Sequence, residues 1–291
     1  MTPYDALVAP FVEFDFMRRA LVGSLALSVG SAPIGVFLML RRMSLAGDAM
    51  AHAILPGAAV GFLVAGLSLP AMTIGGLAAG VAVAVLAGLL TRTSVLKEDA
   101  ALAAFYLLSL ALGVTLVSLK GSNVDLLNVL FGSVLALDDD ALFLLAGVSS
   151  LTLLTLAALY RSLVLECVDP GFLASVSRSG GPTHFVFLGL VVLNLVAGFQ
   201  ALGTLLSVGI MMLPAASAAF WSARLSGMFV AAIAVGALAS LFGLLGSYHT
   251  GVPSGPAIVL AAGALYLVSI AFGASAGLVW RLLPARRHRA A

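Results

Sequence analysis

Long apolar stretches separated by short polar clusters dominate the chain. Residues 49–91, 100–119, 141–160, 185–223 and 225–280 contain no Asp, Glu, Lys or Arg. A helix crosses the hydrocarbon core of a bilayer with about 20 predominantly apolar residues, so several of these stretches hold more than one crossing. The pattern predicts apolar segments near 21–40, 44–67, 71–91, 100–119, 141–160, 185–200, 202–220, 227–246 and 257–277. The stretch 122–137 is shorter and follows the polar turn Gly121-Ser122-Asn123. It reads as a re-entrant element, which membranes tolerate where protein surrounds it. In residues 1–20, Asp5, Glu13 and Asp15 alternate with Tyr4, Phe11, Phe14 and Phe16. The acids argue against a signal peptide, and the mixture suits an interfacial segment. The expected fold is all-α: a polytopic membrane protein of about 8–9 transmembrane helices plus the short re-entrant element. Its expected parts are the interfacial segment 1–20, a transmembrane domain over 21–277 with a cytoplasmic loop at 161–184, and a basic cytoplasmic tail, 278–291.

Composition agrees with this reading. The 291 residues are 62% hydrophobic and 9% charged, against about 25% charged in soluble domains. A formal net charge of +2 is too small to suggest nucleic acid as a partner. Cys167 is the single cysteine, which excludes an intrachain disulfide and a Cys-rich zinc cluster. With an external N-terminus, only Arg18, Arg19 and Lys120 of the 14 Lys and Arg residues fall outside. The positive-inside rule therefore favours an external N-terminus and a cytoplasmic C-terminus. Gly76, Gly80, Ala84 and Gly88 recur every fourth residue, and Gly57, Gly61 and Ala65 do so in the preceding segment. Such small-residue faces let helices approach closely in lipid.

The chemistry concentrates in Asp48 and His52, four residues apart in Ser44-Leu45-Ala46-Gly47-Asp48-Ala49-Met50-Ala51-His52-Ala53. On a helix this spacing places both on one face, with Cβ atoms about 5–6 Å apart. A helix continuous from Arg42 would put His52 roughly 15 Å beyond that arginine, near the bilayer centre. An Asp at that depth costs about 2.5–3.5 kcal/mol, a cost that a bound cation offsets. The plainer alternative is that Asp48 caps a helix starting there and His52 donates to a backbone carbonyl. Two ligands do not complete a transition-metal site. A two-fold dimer bringing this helix to its axis would supply two Asp and two His, a set suited to zinc, manganese or iron. Such ligands bind deprotonated, so affinity should fall in acid.

Other polar residues carry weaker signals. Asp169 can cap a helix starting at Pro170, giving Asp169-Pro170-Gly171-Phe172 the form of a short helix that either docks another protein or is simply solvated. Glu98, Asp99, Asp138, Asp139 and Asp140 precede apolar runs and read as N-terminal acids of helices. His249 is expected in an external loop, where it is a candidate metal-entry contact or an ordinary loop histidine. His184 and His288 carry no signal, and Gln200 reads as a corner or pore-facing residue. The only lysines, Lys97 and Lys120, lie in no Walker A pattern, and no His-Glu-x-x-His motif is present. The chain is thus expected not to bind ATP by that means, and an intramembrane metalloprotease is not expected.

These residues resemble the permease subunits of metal-import ABC transporters, the group serving zinc, manganese and iron. The resemblance lies in Arg41-Arg42-Met43-Ser44-Leu45-Ala46-Gly47-Asp48-Ala49-Met50-Ala51-His52-Ala53-Ile54-Leu55-Pro56-Gly57. It continues through Lys97-Glu98-Asp99, Val124-Asp125-Leu126-Leu127, Leu130-Phe131-Gly132, Asp169-Pro170, Gln200-Ala201-Leu202-Gly203, Leu213-Pro214-Ala215-Ala216 and Pro253-Ser254-Gly255-Pro256. It implies a type II importer architecture in the bacterial inner membrane and a permease dimer with a central path. Asp48 and His52 would be its in-membrane metal ligands. The Asp169 element would couple to a cytoplasmic ATP-binding subunit, and a periplasmic metal-binding protein would deliver the cargo. No permanently bound cofactor is implied; the metal is cargo. Gly171 stands where an acidic residue is usual, and His249-Thr250 also departs from the family's pattern. The rival readings are a secondary transporter, which would show inverted repeats, and a siderophore- or vitamin-type ABC permease, against which the tight Asp/His pair argues.

Overall fold

The computed structural model describes residues 7–43, 45–66, 68–93, 98–119, 134–169, 171–172 and 180–279, with single positions 4 and 95. The long helices are α2 (Asp15–Leu40), α5 (Leu69–Thr93), α6 (Glu98–Leu119), α7 (Asp139–Val168), α8 (Gly180–Leu202), α9 (Thr204–Trp221), α10 (Leu225–Thr250) and α11 (Ser254–Phe272). Among the described residues there are also three shorter ones, α1 (Ala9–Glu13), α3 (Ala46–Ala53) and α4 (Leu55–Ala65), and a 3₁₀ turn at Val134–Ala136. Among the described residues 8 stretches are long and apolar enough to span a membrane, α3 and α4 counting together as one, and α6 adds a shorter apolar helix, Ala100–Leu116. The expected all-α, polytopic architecture is therefore observed. Of the stretch 122–137, residues 122–133 lie outside the described residues.

The bundle is organised around α2 and α8, the two most buried spans. Helix α2 packs on α7, α8, α9 and α10, while α8 also reaches α3 and α5. Small and hydroxylated residues make this possible. On α2, Ser24, Ser28 and Ser31 are fully buried. Ser24 and Ser31 satisfy their hydroxyls on Ala20 and Leu27 carbonyls one turn back. Ser149 of α7 donates to the Ala26 carbonyl at 2.6 Å, and Asn194 of α8 donates to Thr152 of α7 at 2.7 Å. In lipid, where apolar burial between helices gives little drive, such close packing and interhelical bonding hold the bundle together.

Helix ends extend past the apolar runs. Helix α2 starts at Asp15, continuous with the first crossing. Helix α7 has 30 residues, about 45 Å of rise, so it outreaches a hydrocarbon core of about 30 Å. Asp138 is its N-cap and accepts from the Ala141 N–H at 2.8 Å. Within 161–184, α7 reaches Val168 and α8 starts at Gly180.

The turn from α2 into α3 is a Schellman motif. The Met43 N–H donates to Leu38 and the Arg42 N–H to Met39, satisfying α2's last carbonyls. Arg42 holds φ 59, a left-handed conformation that costs a non-glycine residue about 1–2 kcal/mol. Arg42→Gly is accordingly expected to stabilise the purified protein by about 1 kcal/mol, seen as a melting rise of roughly 2–4 °C in detergent. An unchanged or lowered midpoint contradicts this reading of the turn.

The segment expected as one helix over 44–67 is instead broken. Helix α3 ends at Ala53 and α4 starts at Leu55. Pro56 has no N–H to offer the His52 carbonyl four residues back, and its ring crowds that position. The break therefore follows directly on His52.

Candidate metal-binding pair and buried ion cluster

Helix α3 buries Ala46, Gly47, Ala49, Met50, Ala51 and Ala53 against α6, α8, α5 and α9. Its opposite face carries Leu45, Asp48 and His52, spaced three and four apart. The side chains of His52 and Asp48 remain 31% and 60% exposed, and His52 Nε2 lies 3.6 Å from Asp48 Oδ1. That separation is too long for a hydrogen bond. Two ligand atoms each about 2.0–2.2 Å from one ion lie roughly 3.0–3.6 Å apart at octahedral to tetrahedral angles, so the pair is already near a chelating separation. The His52 ring rests on Tyr106 of α6, with centroids 5.0 Å apart. His52 Nδ1 is buried and has no hydrogen-bond partner among the described residues.

The alternative of a simple helix cap does not fit. Asp48 lies inside α3, whose N-cap is Leu45 with no side-chain capping bond. Because α3 starts only at Ala46, His52 lies about 9 Å of helical rise into it, shallower than a helix continuous from Arg42 would give. Among the described residues no group of three or more His, Cys, Asp or Glu side chains is placed to hold a metal. The pair can therefore supply two ligands, and the remainder must come from outside these residues.

His249 does not join the pair. It lies in the last turn of α10, not in a loop, and Gly251 at φ 71 ends that helix after it. Its neighbour Tyr248 stacks on Phe14 with centroids 5.8 Å apart, next to the start of α2 and at the opposite end of that helix from Arg41. Asp169, expected inside a loop as a helix cap, stands directly after α7 as its C-cap, and its Oδ1 accepts from the Phe172 N–H at 2.9 Å. This is the N-cap bond to the third residue of a helix. Gly171 and Phe172 are helical and exposed, and Pro170 lies outside the described residues. Gln200 lies in the last turn of α8, just before the Gly203 junction with α9, and its Oε1 accepts from Thr73 of α5 at 2.7 Å.

One cluster was not anticipated from the sequence. Arg41, the C-cap of α2, donates from Nη2 to Glu166 Oε1 of α7 at 2.5 Å and to His184 Nδ1 of α8 at 2.8 Å. The Arg41, Glu166 and His184 side chains are 8%, 9% and 8% exposed. The guanidinium carbon lies 4.9 Å from the Phe187 ring centroid. Arginine can only donate, so His184 Nδ1 accepts and its ring proton sits on Nε2. Arg41 Nη1 and Glu166 Oε2 are buried without a partner among the described residues. Arg41, and His184, which carried no signal in the sequence, are thus the buried partners of Glu166.

The chain matches the model of the ABC 3 transport family over residues 13–273. It is 34% identical to the manganese import system permease protein ScaB of Streptococcus parasanguinis over 257 residues, covering 88% of this chain and 90% of that one. It is 31% identical to the manganese transport system membrane protein MntC of Listeria monocytogenes over 269 residues, covering 92% and 95%. Among solved structures, PsaBC from Streptococcus pneumoniae in complex with Fab superposes with a TM-score of 0.80 at 31% identity, covering 92% of this chain and 97% of that one.

Proposed function

Because the chain belongs to the ABC 3 transport family, we propose that it is the membrane-spanning permease of an ATP-driven metal importer, with manganese(II) as cargo and Asp48 and His52 as its ligands in transit. The observation that carries this reading is the outward-facing carboxylate–imidazole pair on a broken span, 3.6 Å apart. An ionisable pair facing lipid is costly, whereas one lining a water-filled path is where such residues belong. The relatives named for manganese favour that metal. Carboxylate and imidazole also suit zinc and iron(II), so ligand type leaves the choice to pocket size and availability.

A second copy of the chain, related by a two-fold axis near α3, supplies the second Asp48 and His52. The ion then sits between two broken helices, each interrupted just after His52. The bundle end holding Arg41, Glu166 and Asp169 faces the cytoplasm, where an ATP-binding subunit docks on the Asp169–Phe172 element. The end holding His249 faces outward and receives metal from an extracytoplasmic binding protein, with His249 as a candidate contact at entry. The N-terminus then lies outside.

The test is uptake by the permease reconstituted in vesicles with its ATP-binding and metal-binding partners. ATP-dependent manganese accumulation is expected, with excess zinc and iron(II) competing weakly. Accumulation of zinc in preference to manganese reassigns the cargo. Accumulation without ATP or the ATP-binding subunit overturns the importer reading.

A further inference from the structure

Glu166 and Asp169 lie three residues apart, one helical turn, at the end of α7. Arg41 ends α2, and the chain then passes through the tight Arg42 turn into α3, where Asp48 is seven residues on. His184 lies in the first turns of α8, which packs against α3. The buried cluster therefore ties together the element next to Asp169, the start of the helix that bears the metal ligands, and the central helix behind it. We infer that Arg41, Glu166 and His184 are positioning residues that transmit movement of the Asp169 element to α3. This rests on the function proposed above.

Stability alone gives a poor account of the cluster. Desolvating an ion pair costs several kcal/mol per ion, and well-packed apolar residues commonly serve as well or better. Here the pair is not even fully bonded, since Arg41 Nη1 and Glu166 Oε2 lack partners among the described residues. Buried polar groups left unpaired are costly, and a change of partners would relieve that cost. The cluster's geometry supplies the exchange: one guanidinium nitrogen serves two acceptors on two different helices, Glu166 on α7 at 2.5 Å and His184 on α8 at 2.8 Å. If the end of α7 moves with the Asp169 cap, Glu166 leaves while His184, held on α8, keeps its bond to Arg41. If Arg41 instead follows Glu166, it draws the end of α2 and the turn into α3 with it. Coupling needs such an element with two discrete arrangements that both sites can bias.

The test uses the importer reconstituted in vesicles as above, comparing wild type, Glu166→Gln, the reversed pair Arg41→Glu/Glu166→Arg, and His184→Gln. Three quantities are read: manganese bound by the permease, ATP hydrolysis, and manganese transported per ATP. For Glu166→Gln, binding and hydrolysis should stay within about twofold of wild type while transport per ATP falls about tenfold or more. The reversed pair should recover most of that loss, because it restores the attraction between α2 and α7. His184→Gln, which retains a neutral acceptor, should lower the ratio by about threefold or less. An unchanged ratio in Glu166→Gln overturns the inference, as does a parallel fall in all three quantities, which marks a merely structural role. Should Glu166→Gln fail to assemble, the reversed pair decides: a ratio near wild type supports transmission, and a ratio lost together with binding overturns it. A wild-type complex that moves no manganese overturns the function reading itself, and the inference falls with it.

Discussion

Replacing His52 with alanine is expected to lower ATP-dependent manganese uptake by about 100-fold or more while leaving the amount of inserted, folded permease unchanged. The two halves of this expectation have separate grounds. Folding should survive because α3 is anchored by its other face, where Ala46, Gly47, Ala49, Met50, Ala51 and Ala53 are buried. The His52 ring touches Tyr106, and its Nδ1 has no hydrogen-bond partner among the described residues. Truncation therefore removes a polar atom that folding leaves unsatisfied, a change that is often neutral. Transport should fail because a two-fold site loses both imidazoles at once, leaving two carboxylates too few to complete a transition-metal shell. Asp48→Asn is the sharper companion, since it keeps volume and removes charge. It should bring a comparable loss. The measurement is manganese bound per permease dimer and the initial uptake rate, each normalised to folded protein. Uptake within about twofold of wild type in both variants removes the pair from the transport path.

Much of this molecule is legible in its sequence because lipid imposes simple constraints on a chain. The apolar stretch lengths required helices, and the helices are there. Asp138 before an apolar run was read as a cap and proves to be one, bonded to the Ala141 N–H. Asp169 before Pro170 behaves in the same way toward Phe172. The i, i+4 spacing of Asp48 and His52 put them on one face, and the structure holds them 3.6 Å apart there. These features depend on neighbours within one helical turn, the range over which sequence spacing determines geometry.

What the sequence did not reveal depends on distant parts of the chain. Arg41, Glu166 and His184 are separated by up to 143 positions, and each has an innocent local reading as a charged or polar residue near a helix end. Nothing in the spacing marks them, because their meeting requires α2, α7 and α8 to end at the same level in the bundle. A faint signal existed in Glu166, the one acid of α7 beyond its first turn. The break at Ile54 was also hidden within an unbroken apolar run, although Pro56 was visible and its effect on the His52 carbonyl follows from proline chemistry alone. The shallower position of His52 follows from the Schellman turn at Arg42, a left-handed conformation that sequence reasoning reserves for glycine.

Close backbone approach makes glycine substitutions in α4 and α5 severe packing changes. A Cβ on Gly57 would stand 1.9 Å from the Gly75 carbonyl oxygen, and a Cβ on Gly75 would stand 2.2 Å from that of Gly57. The obstruction is backbone on both sides, so no rotamer change relieves it. Bringing 1.9 Å out to an ordinary contact of 3.4 Å requires the helices to part by about 1.5 Å. Helix α5 cannot yield freely, because it is also packed at Gly76 and Gly80, where an added Cβ would stand 2.7 Å from the Ile54 side chain and 2.5 Å from that of Val192. Gly57→Ala is therefore expected to destabilise the protein by about 3 kcal/mol or more, a melting decrease of roughly 6–12 °C in detergent. Gly147→Ala provides the control: nothing lies within 4 Å of a Cβ there, and the gain in helix propensity should leave the protein as stable as wild type or slightly more so. The contrast separates close approach from glycine's general cost in helices, since both residues are helical and only one sits in a backbone contact. Parting α4 from α5 would also displace Pro56 and the break beneath His52, so manganese binding should weaken together with stability in Gly57→Ala. If the two variants melt at the same temperature, the backbone contact between α4 and α5 is not as close as described, and the rigid support it gives to the break at His52 must be discarded.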